Sequence, residues 1–370
     1  MGGRRAAQDS LKRMDEPAGS EGRCRVWVGR RAAPGASRPA TSPAVRRAVV
    51  AAGRLAAAVP PASGAVVMGT GIVSIGLSLD GEETLSRVLL AIAALVWFLL
   101  GIVMLALALR RRPLLLEQVR LPAALTGVAG TDVLGARVAM LGWNTPAAAL
   151  LAVGLVLWLL LVPSVLAHWR RPTVGASFVL VVATESLAVL AAGLAIAYRA
   201  PWLATAALAC VGIGLGFYLF VVSDFDLRQL LVGRGDHWVS GGALAIATLA
   251  CARTAQAAAA PGPLRHAVSS LDTAALALWA AAAAWLPLLL SGEVARRRAA
   301  YDVRRWSTVF PLGMYAVCSF ADARVDGISG IDDFARIWIW FAFAVWLLVF
   351  AGMLRRATEV VRGVEASRTG

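Results

Sequence analysis

Residues 85–109 read LSRVLLAIAALVWFLLGIVMLALAL, and this stretch decides the class of fold. Its only charged residue is Arg87. About 20 apolar residues in a helix cross the roughly 30 Å of hydrocarbon in a bilayer, so the stretch predicts a membrane-spanning helix. Across the 370 residues, 59% are hydrophobic and 16% are charged, and the mean hydropathy is +0.71. This composition excludes an ordinary soluble globular protein.

Nine further stretches of similar character bring the predicted spans to ten, in an all-α polytopic membrane protein. The ten run over residues 59–79, 85–109, 121–141, 146–167, 173–197, 201–222, 238–260, 270–290, 306–323 and 334–354. Residues 1–58 are rich in Arg, Ala, Gly, Pro and Ser, which predicts a disordered basic tail. The membrane domain is expected at residues 59–354, and a short C-terminal tail at 355–370.

The arginines predict the orientation of the spans. Loops on the cytoplasmic side of a membrane retain an excess of Lys and Arg. Here the loops after the even spans carry Arg110, Arg111, Arg112, Arg120, Arg170, Arg171, Arg228, Arg234, Arg296, Arg297, Arg298, Arg304 and Arg305. Loops after the odd spans hold few. Both termini are therefore predicted to be cytoplasmic, in the plasma or inner membrane.

Ionisable residues that lie deep in a span are confined to odd-numbered spans. They are Asp132, Arg137, Glu185, Arg253 and Asp322. Such a group costs several kcal/mol in a bilayer unless it faces a protein interior or a water-filled path. The pattern predicts an inner set of odd helices and a lipid-facing outer set of even helices, which is the layout of a pore or a transporter.

Hydroxyl groups follow the same odd-numbered helices. Thr70, Ser74 and Ser186 are predicted to line a wet path between closely packed helices. The alternative is that each hydroxyl bonds to a carbonyl of its own helix and has no part in transport.

The buried charges allow three interpretations. Arg137 and Arg253 lie nearer the outer ends of their spans, where they would attract an anion. Alternatively, the charges pair structurally, Arg137 with Asp132 or Glu185, and Asp322 with Arg253 or Arg324. Near the bilayer centre, Glu185 could also take up and release a proton, as a proton-coupled carrier requires.

Three prolines, Pro61, Pro122 and Pro311, predict helix kinks, because a proline inside a helix frees a backbone carbonyl. Phe310 lies beside the last of them. A bulky apolar side chain at a constriction can gate ions by excluding water, although a phenylalanine is more often a packing residue.

Other classes of function are not favoured. The net charge of +14 comes from loops and tail, so no nucleic-acid partner is predicted. The three histidines stand in or beside loops, with no catalytic grouping and no phosphate-binding loop, so the chain is not predicted to be an enzyme. An intramembrane enzyme remains the alternative. The four cysteines are isolated, which predicts no disulfide framework, metal site or cofactor.

Three segments resemble the tellurite-resistance and C4-dicarboxylate transporter family, which includes plant guard-cell slow anion channels. They are AVVMGTG at 65–71 followed by IVS at 72–74, ATESLA at 183–188, and RWSTVFPLGMY at 305–315. The resemblance implies five helical hairpins around a central pore lined by the odd helices, with three protomers in a homotrimer. It also implies that Phe310 occludes the pore. No residue-level repeat is evident across the five hairpins.

The leading hypothesis is an anion channel or transporter for chloride, nitrate, sulfite or a malate-like C4-dicarboxylate. Phe310 would be its gate, and Thr70, Ser74, Arg137, Glu185, Ser186 and Arg253 would line or tune the path. A proton-coupled dicarboxylate or sulfite carrier that uses Glu185 is the alternative. A membrane sensor or scaffold without transport is the third hypothesis.

Overall fold

The computed structural model describes residues 60–232, 235–295, 301–326 and 329–369. The predicted N-terminal tail at 1–58 lies outside these residues. Within them the chain is helical, and the only extended pairing described is an isolated bridge between Thr173 and Phe225.

Ten long helices follow one another along the described chain. They are α1 Gly64–Leu79, α2 Glu83–Arg110, α3 Thr126–Met140, α4 Asn144–Ala167, α5 Val179–Tyr198, α6 Pro201–Val222, α7 Trp238–Ala258, α8 Val268–Ala295, α9 Trp306–Asp326 and α10 Ser329–Thr369. Two short helices, Arg112–Gln118 and Arg228–Val232, lie in connections that lead from an even helix to an odd one. The last helix continues beyond Leu354, where the C-terminal tail was predicted to begin.

Turns of a few residues make neighbouring helices antiparallel. The connections after α1, α3 and α5 each contain a residue with positive φ, namely Gly81 at 98°, Gly142 at 78° and Arg199 at 51°. Glycine adopts this left-handed conformation without steric cost, whereas a residue with a Cβ is strained in it. These turns fold the first six long helices into three tight hairpins.

Length and hydropathy alone identify seven of these helices as able to cross a membrane, the segments Pro61–Leu79, Glu83–Arg110, Asn144–Ala167, Gly175–Tyr198, Pro201–Val222, Arg265–Ala295 and Ser329–Glu359. The long helices outside this set are α3, α7 and α9. α3 has 15 residues, and α9 carries Asp322 and Arg324 near its end. All three are odd-numbered, so the most polar helices are the ones that composition does not identify.

Burial separates inner helices from outer ones. In the most apolar part of α1 and of α5, 78% and 83% of the residues are buried. In the corresponding parts of the five even helices, 17% to 22% are buried. Large exposed apolar side chains stand on the even helices, among them Phe98, Leu160, Leu219 and Leu348. An apolar surface of this kind suits contact with lipid, so the chain is a multi-pass membrane protein.

The odd helices pack on one another in a closed ring. α1 packs on α3, α3 on α5, α5 on α7, α7 on α9, and α9 again on α1. Each even helix packs on the odd helix that precedes it and also touches the next odd helix around the ring, with α10 touching α1. An outer helix therefore covers each seam between two inner helices.

Candidate functional site

Tryptophan indoles of the outer helices bind hydroxyl groups of the inner ring. Each of four indole N–H groups donates to the odd helix that follows its own. The pairs are Trp97 with Thr131 at 2.9 Å, Trp158 with Thr184 at 2.9 Å, Trp279 with Ser319 at 2.8 Å, and Trp346 with Thr70 at 3.0 Å. These hydroxyls therefore face the outer layer of helices and not the centre of the ring.

α7 departs from this arrangement. Thr248 donates to the carbonyl of Leu244 at 3.0 Å, and the indole of Trp285 donates instead to Ser240, at 2.7 Å. Back-bonding to the helix itself also occurs at Thr131, Thr184 and Ser319, each of which donates to a carbonyl four residues earlier. The bonding of hydroxyls to their own helices, considered from the sequence as an alternative, is thus widespread in the inner ring.

The four hydroxyls that accept indole bonds, together with Thr248 at the corresponding position of α7, define a common register for the five odd helices. Their positions are Thr70, Thr131, Thr184, Thr248 and Ser319. Counting five residues onward from each gives Ile75, Ala136, Val189, Arg253 and Arg324, and all five of these line one cavity. The odd helices therefore share a residue-level repeat that inspection of the sequence did not detect, because the repeated element is a single hydroxyl in varied surroundings.

This cavity lies within the ring, at the C-terminal ends of the odd helices, and has a volume of about 210 Å³. All five odd helices contribute to its lining. The lining is apolar except for Arg253, Gln256 and Arg324. We call it the central cavity.

Phe310 lies below the central cavity on the same face of α9. The cavity residues Val317, Ala321 and Arg324 are spaced four and three apart, and the same spacing leads back through Met314 to Phe310. Exposure falls along this line from 6% at Ala321 to 0% at Phe310. Burial on this face of α9 thus increases from the cavity towards Phe310.

Contacts on the other faces of α9 indicate which way the face that carries Phe310 points. Gly313 faces Ile72 of α1, and Pro311 faces Gly242 of α7. Ser319 faces the outer helix α8 through Trp279. The face that carries Phe310 lies between the α1 and α7 sides and opposite the α8 side, so it points to the centre of the ring.

Of the three prolines predicted to kink helices, Pro311 lies inside α9. Pro61 and Pro122 instead begin the short 3₁₀ turns Pro61–Ser63 and Pro122–Leu125, which lead into α1 and α3. A proline at the first position of a helix loses no hydrogen bond, so these two start helices and do not bend them.

Ser74 is turned away from the central cavity. Its Oγ lies 3.0 Å from Oγ of Ser86 in α2, and each of the two hydroxyls donates to the other residue's carbonyl, at 2.7 and 2.6 Å. Thr70 faces α10 through Trp346. Both residues hold inner and outer helices together, and neither lines the cavity that the structure describes.

Arg137 has a different partner from those predicted. Its Nη2 donates to both carboxylate oxygens of Glu83, at 2.7 and 2.8 Å, and its Nε donates to Ser86 Oγ at 2.9 Å. The side chain is 1% exposed. The predicted pairing with Asp132 or Glu185 is replaced by an ion pair between α3 and α2, in which the guanidinium is buried and the side chain of Glu83 is 39% exposed. The reason is that the guanidinium points outwards and towards the start of α2.

Asp132 and Glu185 also point towards outer helices. A Cβ at Gly154 of α4 would collide with the carboxyl of Asp132, and one at Gly214 of α6 would collide with that of Glu185. Ser186 donates to Asp132 Oδ2 at 3.0 Å. Oδ1 of Asp132 and both carboxyl oxygens of Glu185 are buried and have no hydrogen-bond partner among the described residues. Glycine leaves the space that each carboxyl fills.

Arg253 is the predicted residue that does line the central cavity. Its Nη1 donates to Gln256 Oε1 at 2.8 Å, and it lies close enough to Arg324 for the two charges to repel. No ion pair of either arginine lies among the described side chains, and the described lining carries no carboxylate, so the lining is positively charged. Gln256 was not predicted as a site residue from the sequence. Its spacing of three residues from Arg253, which places both on one face of a helix, was the available signal.

Comparison with known proteins identifies a family for this chain. A family model described as voltage-dependent anion channel matches residues 58–354. Two proteins of Mycobacterium tuberculosis, from strains CDC 1551 / Oshkosh and ATCC 25618 / H37Rv, are each described as an uncharacterized membrane protein. Each is 31% identical to this chain over 131 residues, which are 34% of this chain. The chain spans 66% of the length of these curated relatives.

Proposed function

Because the chain belongs to the voltage-dependent anion channel family, we propose that it moves small anions across a membrane through the centre of the ring of odd helices. The observation that carries this proposal is the central cavity. Residues from all five odd helices line it, and its two arginines have no carboxylate partner among the described side chains. A positive, water-accessible mouth raises the local concentration of anions.

The proposed architecture has ten transmembrane helices in five hairpins around a central pore. Closed packing of the odd helices supports it, and so does the cover that the even helices supply at each seam. Arginine-rich connections between even and odd helices support cytoplasmic termini in a plasma or inner membrane. The central cavity is then the extracellular mouth. A homotrimer is proposed from the family resemblance.

Phe310 is the proposed gate. It is buried on the face of α9 that points to the centre, below a cavity whose lining is mostly apolar. An apolar constriction excludes water and offers nothing in place of the hydration shell of an ion, so passage carries a large desolvation cost. Removal of the phenyl group of Phe310 would leave a void on the path and lower this barrier.

Apart from Arg253, Gln256 and Arg324, the lining is apolar, which favours a channel over a carrier, because an anion that leaves these three residues meets few groups that would hold it. A proton-coupled carrier is the second candidate, since both carboxyl oxygens of Glu185 are buried without a hydrogen-bond partner among the described residues. Release of a proton from this carboxyl would leave a buried charge without a partner, so proton exchange would require the packing around Glu185 to change. Its position against α6 means that coupling would act on helix packing and not by direct contact with the anion.

The test is anion flux into liposomes that contain the purified protein, for chloride, nitrate, sulfite and malate, with and without a proton gradient. We expect Phe310→Ala to increase flux several-fold without any need for protons. The control is Phe178→Ala, since Phe178 is equally buried but packs on Tyr218 and Phe225 away from the ring centre.

Equal flux in the two variants would overturn the gate. Uptake that requires a proton gradient and is lost in Glu185→Gln would favour the carrier. Absence of flux under every condition would favour a sensor or scaffold.

A further inference from the structure

We propose that Arg253, Gln256 and Arg324 form a binding site for oxyanions in the central cavity, and that this site favours an anion with two acceptor oxygens over a halide. The inference rests on the proposed function and adds to it the geometry of the first anion contact.

The absence of a counter-charge is the first argument. Arg137 is buried and pairs with Glu83 at 2.7 Å, and the partly buried Arg305 pairs with Glu293 at 2.8 Å. Arg253 is also partly buried, and neither it nor the more exposed Arg324 has a carboxylate within 4.0 Å among the described side chains, although both line one cavity. A mobile anion would supply the missing charge.

The shared register is the second argument. Arg253 and Arg324 each stand five residues after the hydroxyl that marks the register of their helix, Thr248 and Ser319, and α7 packs directly on α9. The two arginines therefore line the cavity from the same level of adjacent helices. The equivalent positions on the other three odd helices are Ile75, Ala136 and Val189, so the positive charge lies on one side of the cavity.

The donor geometry is the third argument. A guanidinium presents a planar fork that matches two oxygens of one anion. Gln256 accepts a bond of 2.8 Å from Arg253, which orients that fork and leaves the amide N–H₂ of Gln256 able to donate. Nitrate, sulfite and carboxylates offer paired acceptor oxygens, whereas chloride is a sphere and cannot use both arms of a fork. The apolar remainder of the lining strengthens these bonds by excluding water.

The test measures binding apart from transport. Thermal unfolding of the purified full-length protein is followed against increasing nitrate, acetate or chloride at constant ionic strength, because a ligand of the native state raises the midpoint according to its affinity. We expect nitrate and acetate to bind more tightly than chloride. Arg253→Gln and Arg324→Gln should each weaken nitrate binding about tenfold or more, since each removes a charged donor pair.

Two further variants make the test specific. Arg265→Gln is the charge-matched control, because Arg265 is exposed, follows the C-terminal end of α7 and does not line the cavity. It should bind nitrate as the wild type does. Arg253→Lys keeps the charge but loses the fork, so it should keep chloride binding and lose most of the preference for nitrate.

Nitrate binding no tighter than chloride binding in the wild type would overturn the proposal. Unchanged nitrate binding in both Gln variants would overturn it too. Liposome flux distinguishes failure of the oxyanion site from failure of the transport function. If nitrate binding depends on both arginines but no flux is observed, the site is supported and the transport function is overturned. If flux is observed but nitrate binding does not depend on either arginine, transport is supported and the site is overturned.

Discussion

The indole Nε1 of Trp346 in α10 donates a 3.0 Å hydrogen bond to Oγ1 of Thr70 in α1, across 276 residues of the chain. Both residues are buried, since Thr70 is 0% and Trp346 is 3% exposed. This bond joins the last hairpin to the first and closes the outer layer over the seam between α9 and α1. The three other indole bonds of this type repeat the same connection around the ring.

We expect Trp346→Phe and Thr70→Val each to destabilise the protein, because each leaves a buried polar atom or a gap at the seam. In a double-mutant cycle, the coupling energy between them should be about 0.6 to 1.7 kcal/mol, the range found for hydrogen bonds between membrane helices. Unfolding in detergent micelles at several denaturant concentrations measures it. Additive effects of the two changes would contradict a direct bond.

Gly214→Ala is expected to destabilise the protein by about 1 to 3 kcal/mol, because its new Cβ overlaps the carboxyl of Glu185 in a packed interior. Gly212 and Gly216 in the same helix have open space at the Cβ position. Alanine there should stabilise α6 by about 0.5 to 1 kcal/mol. Thermal unfolding of the three variants decides the point, and equal behaviour would mean that Glu185 does not face α6.

Glu83→Gln should destabilise the protein by about 1 to 3 kcal/mol, since it leaves the buried guanidinium of Arg137 without its carboxylate. Removing both charges, in Arg137→Met with Glu83→Gln, should cost less than the sum of the single changes. Chemical unfolding gives both numbers. If the double variant loses as much stability as the two single variants lose together, the two residues do not interact.

Gly242→Ala should disturb the proposed gate at Phe310. A Cβ at Gly242 would lie 2.8 Å from Cγ of Pro311, next to Phe310, so α9 has to shift away from α7. We expect a change in resting anion flux of several-fold in liposomes. Gly127→Ala in α3 is the control, because Gly127 has open space. Flux equal to the wild type in Gly242→Ala would place the constriction elsewhere.

The family and the membrane class could be predicted from residues alone. Segments such as 85–109 are long and apolar, and an apolar helix of that length has no stable place outside a bilayer. The confinement of ionisable residues to odd helices also pointed correctly to the inner helices, since burial of α1 and α5 contrasts with exposure of the even helices. Both predictions rest on composition summed over a whole helix, which does not depend on its neighbours.

The direction of individual side chains could not be predicted in this way. α1 is apolar around nearly its whole circumference, so its periodicity does not indicate which side faces the ring centre. Thr70 and Ser74 were therefore expected on the path, and the structure turns them towards Trp346 and Ser86.

The amino-acid sequence by itself determined that the chain is a helical membrane protein with a polar inner set and an apolar outer set of helices. The tertiary structure decided which hydroxyls bind indoles, that Arg137 pairs with Glu83, and that Arg253 and Arg324 meet in one cavity. The reason is physical: burial in lipid depends on the average polarity of a segment, whereas a hydrogen bond or an ion pair depends on how two helices far apart in sequence are rotated against each other.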